Sequence, residues 1–369
     1  MNVSRQALAI VGLSLVSLSG FAQQPGGSAP ETGQLQVRRE GSPDAANRLV
    51  LDVVVTDRSG KAIKGLEEKD FTVFDDRHSQ KILSFQATVG EVVPANVQPA
   101  EPPVKIILLI DEVNTNFSRV AYERDQIKRF LLQNGGNLAH PVSMAFFSDA
   151  GTEVQNNASR DGNALLALFD QHETGLRSIR RSQGFYGAVE RFQLSQKTLT
   201  SLAAEEIRVP GRKMVVWISP GWPLLSGPNV QLNARNEAGL FASIVSVSTA
   251  LRDARITLYS VDPEGAESAL GTQNFYYREF LKPVVLAKNA QAGDLALQVL
   301  AVHSGGLAFT ASNDIAGQIT RCVADADVYY TLTVDAAPAD RPDAYHALEV
   351  KVATPGLTAR TRNGYYVQH

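Results

Sequence analysis

The sequence predicts an α/β protein with a doubly wound, mostly parallel sheet, flanked by a small N-terminal β module and a C-terminal β tail. Continuous apolar runs at 105–111 and 213–219 are typical of parallel strands that are buried on both faces. Amphipathic helical patterns separate such runs, and alternating β patterns lie on either side of this region. The content of 44% apolar and 20% charged residues suits a folded globular protein.

Residues 1–22 are typical of an export signal, with an N-terminal membrane anchor as the alternative. Arg5 precedes an apolar run at 7–18 that is short for a spanning helix, and Gly20 and Ala22 stand where a signal peptidase cleaves. Residues 23–47 are rich in Gly, Pro, Gln and Ser, which predicts a flexible leader. We therefore expect a secreted or periplasmic protein.

Two β segments border the α/β domain. Residues 48–90 alternate β-branched runs with Gly and Asp turns, which indicates a β-sandwich-like module. The Pro-rich stretch 91–103 is predicted to be a linker. Residues 327–369 again alternate like strands. The sequence leaves open whether the two β segments form one module.

The domain between them, residues 104–326, alternates strands and helices, and this order favours right-handed crossovers in one sheet. Strands are predicted at 105–111, 142–149, 213–219, 255–262 and 307–309, with a short antiparallel edge at 152–154. Helices are predicted at 119–134, 161–172, 182–207, 236–253, 294–303 and 315–326. The single cysteine, Cys322, falls on the apolar side of the last helix and cannot form an internal disulfide.

Charge and hydropathy restrict the classes of partner. The 35 Lys and Arg residues against 38 Asp and Glu residues give a formal charge of −3, which offers nucleic acid no electrostatic attraction. After the signal, no stretch reaches the roughly 20 apolar residues that a spanning helix needs. We expect no nucleic-acid partner and no membrane span after signal cleavage.

Polar residues follow the predicted strands at the edge where doubly wound sheets bind ligands. The strand ends supply Asp111, Asp149, Ser219 and Asp262, and the first loop adds Glu112, Asn114 and Thr115. Trp222, just after the third long strand, is expected to be partly exposed there. Such oxygen-rich loops suit either a hard cation or simple hydrogen bonding among the loops.

These residues resemble the von Willebrand factor A (VWA) family, a Rossmann-like fold. The similarity lies in the strand ending at Asp111, the strand 142–149 with its hairpin, and the run Ser219, Pro220, Gly221. More specifically, the β module, the first loop and the tail, with 304–309, Tyr329, Tyr330 and 363–366, resemble VWFA-related proteins of the Acidobacteria type. The resemblance covers nearly all of the chain after the signal and implies an α/β domain that binds a protein ligand.

Many VWA domains bind that ligand through a divalent cation held by an Asp-x-Ser-x-Ser motif. The corresponding positions here are Asp111, Val113 and Thr115, and valine cannot coordinate a cation. Ser219 stands where many of these domains have an aspartate. The resemblance therefore implies a degenerate metal-ion-dependent adhesion site, with Asp111 and Thr115 as the remaining ligands and no cofactor, or weakly bound Mg²⁺ or Ca²⁺.

The sequence offers no recognised catalytic motif. It contains no Gly-x-Ser-x-Gly elbow, no paired zinc histidines around His172 and no phosphate-binding loop with lysine. The first hypothesis is an exported, non-enzymatic binding or scaffold protein that engages an unknown protein ligand through the carboxyl edge of the sheet. The alternatives are a divalent-cation-dependent adhesion protein with a weak metal site and a hydrolase with an unrecognised site.

Overall fold

The computed structural model describes residues 48–90, 104–155, 157–172, 185–223, 232–266, 277–338 and 341–367. The predicted export signal, leader and linker lie outside the described residues. The strands are β1 (Arg48–Thr56), β2 (Phe71–Asp75), β3 (His78–Gln80), β4 (Ile82–Val89), β5 (Lys105–Asp111), β6 (Asn137–Ser148), β7 (Gly151–Val154), β8 (Ser159–Asp161), β9 (Lys213–Ile218), β10 (Ile256–Val261), β11 (Ala308–Phe309), β12 (Val328–Asp335), β13 (Tyr345–Val352), β14 (Thr358–Arg360) and β15 (Gly364–Tyr366). The helices are α1 (Val120–Leu131), α2 (Gly162–Gln171), α3 (Phe185–Glu206), α4 (Ala234–Asp253), α5 (Leu297–His303) and α6 (Ile315–Val323).

A seven-stranded sheet forms the centre of the α/β domain. Its strand order is β11-β10-β9-β5-β6-β7, and β8 also pairs with β6. The strands from β11 to β6 are parallel, and β7 and β8 run antiparallel to β6. The prediction of a mixed α/β protein with a mostly parallel central sheet is confirmed.

The continuous apolar runs exist because both faces of this sheet are buried. Leu109 and Trp217 lie in one apolar cluster with residues of α3, α4 and α5. Their chain neighbours Leu108 and Val216 lie in a second cluster with residues of α1, α2 and α6. The pleat of each strand therefore sends alternate apolar side chains to two separate cores.

Strands from both β segments form two further sheets. One has the order β14-β1-β12-β4 and the other the order β15-β13-β2-β3. Residues of both sheets share one apolar cluster, which includes Leu51, Phe71, Tyr330 and Val350. Residues 48–90, 327–338 and 341–367 thus contribute to the same β module, a pairing that the sequence left open.

Several element boundaries differ from the sequence predictions for local backbone reasons. The helix predicted to reach residue 134 ends at Leu131, because Asn134 and Gly135 adopt left-handed φ values of 52° and 70°. The helix predicted at 294–303 is interrupted by the extended Ala296, which separates a short 3₁₀ helix (Ala292–Leu295) from α5. The predictions omitted the three-residue strands β3, β8 and β14, which are too short for a periodic pattern.

Within the part of the chain that the structure describes, no helix combines the length and the apolar character that a membrane crossing requires.

Candidate functional site at the carboxyl edge of the sheet

The central strands end in register at one edge. Ile110 of β5 lies opposite Ile218 of β9, which in turn lies opposite Val261 of β10. Asp111 at the end of β5 therefore shares this edge with Ser219 and Asp262, the residues that follow β9 and β10. The structure brings together the polar strand ends that the sequence predicted to meet.

The buried carboxylate of Asp111 organises this edge. Its Oδ1 accepts hydrogen bonds of 2.8 Å from the backbone N–H groups of Val113 and Asn114. Its Oδ2 accepts from Asn114 Nδ2 at 2.8 Å, Trp217 Nε1 at 3.2 Å and Ser219 Oγ at 2.6 Å. Burial raises the pKa of Asp111, and the bonds from Asn114 and Ser219 oppose this rise. One side chain thus ties the first loop to β9.

This arrangement does not fit the cation site that the VWA resemblance implies. A hard cation needs six or so oxygen ligands, and both oxygens of Asp111 already accept bonds from the protein. Ser219 uses its hydroxyl proton on Asp111 and accepts from the Gly221 N–H at 3.0 Å. Val113 is fully buried in the apolar cluster. A cation at Asp111 would have to displace several of these bonds.

A second buried acid, Glu123 of α1, lies beside Asp111. Its Oε1 and the Oγ1 of Thr115 are buried and have no hydrogen-bond partner among the described residues. Burial raises the pKa of Glu123 well above its ordinary value, and the charges of Asp111 and Glu112 raise it further. The nearby Thr115 hydroxyl lowers it. This carboxyl group can therefore retain a proton at a pH where an exposed glutamate would not.

The sequence predictions did not include Glu123, although a signal was present. Glu123 lies four residues before Ile127, and Phe130 and Leu131 complete the same buried side of α1. An acid at helical spacing within an apolar stripe is a buried acid, because residues at i and i+4 share a face.

Glu112 pairs with a histidine that arrives from another helix. His172, directly after α2, places Nε2 3.0 Å from Glu112 Oε1, and its ring stacks on Phe146 with 3.6 Å between centroids. The carboxylate and the aromatic ring hold the imidazole in one orientation. The sequence does not predict this pair, because no local pattern links the two residues. In the sequence, His172 is only half of a zinc motif.

The remaining predicted edge residues have different environments. Asp262 is buried, and its Oδ1 accepts from the Glu264 N–H at 2.9 Å. Asp149 lies in the exposed turn between β6 and β7. The expected partial exposure of Trp222 is wrong, because this side chain is 4% exposed and packs on Trp217 with 5.4 Å between ring centroids. Its Nε1 donates to the Leu295 carbonyl at 2.9 Å.

An exposed aromatic side chain follows the organised first loop. Phe117 begins a short 3₁₀ helix (Phe117–Arg119) and is 79% exposed. The side chain of Asn116 caps this helix by accepting from the Ser118 N–H at 3.2 Å. The loop is therefore fixed on its inner side by Asp111 and presents an apolar ring on its outer side.

A separate group of titratable side chains lies in the β module. In the described ranges, Asp75, Asp76 and His346 are the one group of His, Cys, Asp or Glu residues close enough to share an ion. His346 Nδ1 is 2.9 Å from Asp75 Oδ1, and Tyr365 donates its hydroxyl proton to Asp75 Oδ2 at 2.7 Å. These bonds join β2 to β13 and β15, so they have a structural use within the module.

The sequence matches no protein-family model and no curated protein. Its fold is similar to the human COPII-coat protein Sec24c, at 9% identity and a TM-score of 0.32 over 77% of this chain and 46% of that one. The pilus adhesin SpaC from Lactobacillus rhamnosus GG is 11% identical, with a TM-score of 0.34 over 82% of this chain and 48% of that one. The SpRpn10 VWA domain is 14% identical to this chain, with a TM-score of 0.22 over 44% of this chain and 88% of that one. The chain spans about half the length of Sec24c and SpaC.

Proposed function

We propose that the chain is an exported, non-enzymatic binding protein whose doubly wound, VWA-like domain of the Acidobacteria type engages a protein ligand through the carboxyl edge of its sheet. The observation that carries this proposal is the exposed ring of Phe117 on a loop whose buried side is fixed by the Asp111 carboxylate. Aromatic side chains on rigid supports are favoured as interface hot spots, because little conformational entropy is lost when they bind.

The hydrogen bonds around Asp111 support binding without a resident metal. The carboxylate uses both oxygens on donors of the protein, so the loop holds its conformation through the chain's own groups. Ligand capture in the presence of a chelator should therefore equal capture in Mg²⁺ or Ca²⁺. Loss of capture on chelation, restored by either ion, would instead favour the cation-dependent adhesion hypothesis.

Site-specific photo-crosslinking tests the binding face. A photoreactive amino acid replaces Phe117 in the full chain, and a matched variant carries it at Ile207, which is 52% exposed. Ile207 follows Glu206, whose carboxylate pairs with Lys105 at the start of β5, so this control lies at the opposite edge of the sheet.

The expected result is a discrete adduct from the native secretome at position 117, competed by excess wild-type protein and weakened at least tenfold by Phe117→Ala. Equal labelling at both positions, or an adduct that excess wild-type protein does not reduce, would contradict the assigned face.

A further inference from the structure

Two carboxylates and one imidazole converge within the β module. Asp75 at the end of β2 and Asp76 in the turn that follows it each direct one oxygen at Nδ1 of His346 on β13, at 2.9 and 3.4 Å. The three ligand atoms lie within 4.8 Å of one another. Asp75 and His346 are buried and Asp76 is exposed, so solvent and ions can reach the group from one side.

The other oxygen of each carboxylate is held by the protein. Asp75 Oδ2 accepts from the Tyr365 hydroxyl at 2.7 Å and from the Ala337 N–H at 3.3 Å. Asp76 Oδ1 accepts from the Ala347 N–H at 2.9 Å. Carboxylates that bind metals are oriented by hydrogen bonds of this kind. Both acids therefore keep their second oxygens directed at the same imidazole nitrogen.

One imidazole cannot satisfy both of these oxygens. Nδ1 of His346 carries at most one proton, and a single N–H donates fully to only one of the two carboxylates. Among the described residues, no Lys or Arg forms an ion pair with Asp75 or Asp76. A divalent cation in place of the Nδ1 proton would contact all three ligand atoms and balance both carboxylates.

The strand register supplies a second imidazole. His78, the first residue of β3, lies directly opposite Asp75 across the two-residue turn. Opposed residues of antiparallel strands project from the same face of a sheet, with Cβ atoms about 4.5–5.5 Å apart. The His78 side chain is exposed, and in the described ranges its ring has no hydrogen bond or ion pair. A change of rotamer therefore brings this ring towards the group without breaking a contact.

We propose that Asp75, Asp76 and His346 form a binding site for a divalent transition metal of the Zn²⁺ type, with His78 as the fourth ligand. Imidazole and carboxylate ligands together suit Zn²⁺, whereas Mg²⁺ and Ca²⁺ prefer oxygen ligands alone. Zn–N bonds of about 2.0–2.1 Å and Zn–O bonds of about 2.0–2.2 Å place neighbouring ligand atoms of a tetrahedral site about 3.4 Å apart. The separations of 2.9 and 3.4 Å need little adjustment to reach this value.

The site links two distant segments of the chain. Three of its ligands belong to the hairpin of β2 and β3, and the fourth lies on β13, which pairs with β2. An ion that binds only the folded arrangement of these strands stabilises that arrangement. Occupancy therefore raises the stability of the β module.

Calorimetric thermal unfolding of the untagged full chain tests this site. The protein is stripped of metal with a chelator and then titrated with ZnCl₂ or MgCl₂. We expect a saturable rise in Tm of several degrees with Zn²⁺ and none with Mg²⁺, and isothermal titration should show one tight Zn²⁺ site per chain. No response to Zn²⁺, or an equal response to both ions, would overturn the proposal.

Three substitutions locate the ion. Asp76→Asn should weaken Zn²⁺ affinity at least tenfold and keep the fold, since the side chain is exposed and asparagine tolerates the left-handed φ of 46°. His346→Gln should abolish the rise in Tm, and His78→Gln should weaken affinity at least tenfold. His140→Gln is the matched control and should respond as wild type does, because His140 faces a single carboxylate, that of Asp327 at 2.6 Å.

The variants also decide the outcome if one of them does not fold. Wild-type affinity in Asp76→Asn refutes the site even if His346→Gln fails to fold, because the Asp76 side chain lies at the surface. Wild-type affinity in His78→Gln would refute the assignment of the fourth ligand.

Discussion

Replacing Glu123 with glutamine should make the stability of the α/β domain less dependent on pH. Glutamine has the shape of the protonated acid but cannot ionise. In wild type, burial and the charges of Asp111 and Glu112 hold the pKa of Glu123 well above the value of an unfolded glutamate. Between these two pKa values, folding takes up a proton that the unfolded chain has released.

The sign and size of the effect follow from this linkage. A raised pKa in the folded state favours folding fully below the unfolded pKa of about 4.3, and this advantage is lost as pH rises towards the folded pKa. Over that window, the unfolding free energy of wild type should fall relative to Glu123→Gln by up to about 1.4 kcal/mol per pH unit. Asp294 also has a raised pKa, but it is common to both proteins and cancels in the difference, whereas Asp111 interacts with Glu123, so the difference reports the titration of these two groups together.

Urea titrations between pH 4.5 and 8, followed by tryptophan fluorescence, measure this difference. Trp217 and Trp222 are both buried in the α/β domain, so the signal reports on the part of the chain that contains Glu123. Glu190→Gln, at an exposed position of α3, is the matched control and should run parallel to wild type. A constant difference between wild type and Glu123→Gln across the whole range would refute the buried-proton argument.

Three further substitutions test the contacts that support the site and the fold, each by denaturant unfolding. Asp111→Ala should lower the unfolding free energy by about 3–5 kcal/mol, because five donors, three of them in buried bonds and two in partly buried ones, lose this acceptor. Asp325→Ala should lower it by about 2–4 kcal/mol, since this carboxylate accepts from Tyr259 at 2.7 Å and pairs with Arg360 of β14 at 2.6 Å. Gly306→Ala should lower it by about 3 kcal/mol or more, because its new Cβ would lie 1.8 Å from the Leu258 carbonyl oxygen. A loss below about 1 kcal/mol in any of the three would contradict the corresponding contact.

The sequence predicted what periodicity and burial determine locally. The runs around Leu108 and Val216 are apolar at every position, and only a sheet covered on both faces requires that pattern. The polar edge was predictable for a related reason, since parallel strands in register end together and must end in polar residues. Asp111, Ser219 and Asp262 therefore needed no contact information to be placed at one edge.

What the sequence did not predict depends on contacts between distant positions. Trp222 was expected at the surface because it follows a strand end, but Leu295, 73 residues later, accepts its indole N–H. The ion pair between Arg255 and Asp52 likewise joins residues that are 203 positions apart in the chain. Such pairings depend on three-dimensional packing, which a single sequence does not encode in any local pattern.

Val113 supports the conformation of the first loop by apolar packing. Its side chain is fully buried and packs in the cluster that contains Leu109 and Trp217. Burial of a valine side chain stabilises a fold by about 1.5–3 kcal/mol. This packing holds the loop against the core, and the backbone N–H of Val113 donates to Asp111 Oδ1. The chain's own contacts therefore hold the segment that leads to Phe117, and a serine at 113 would weaken this support without freeing either oxygen of Asp111.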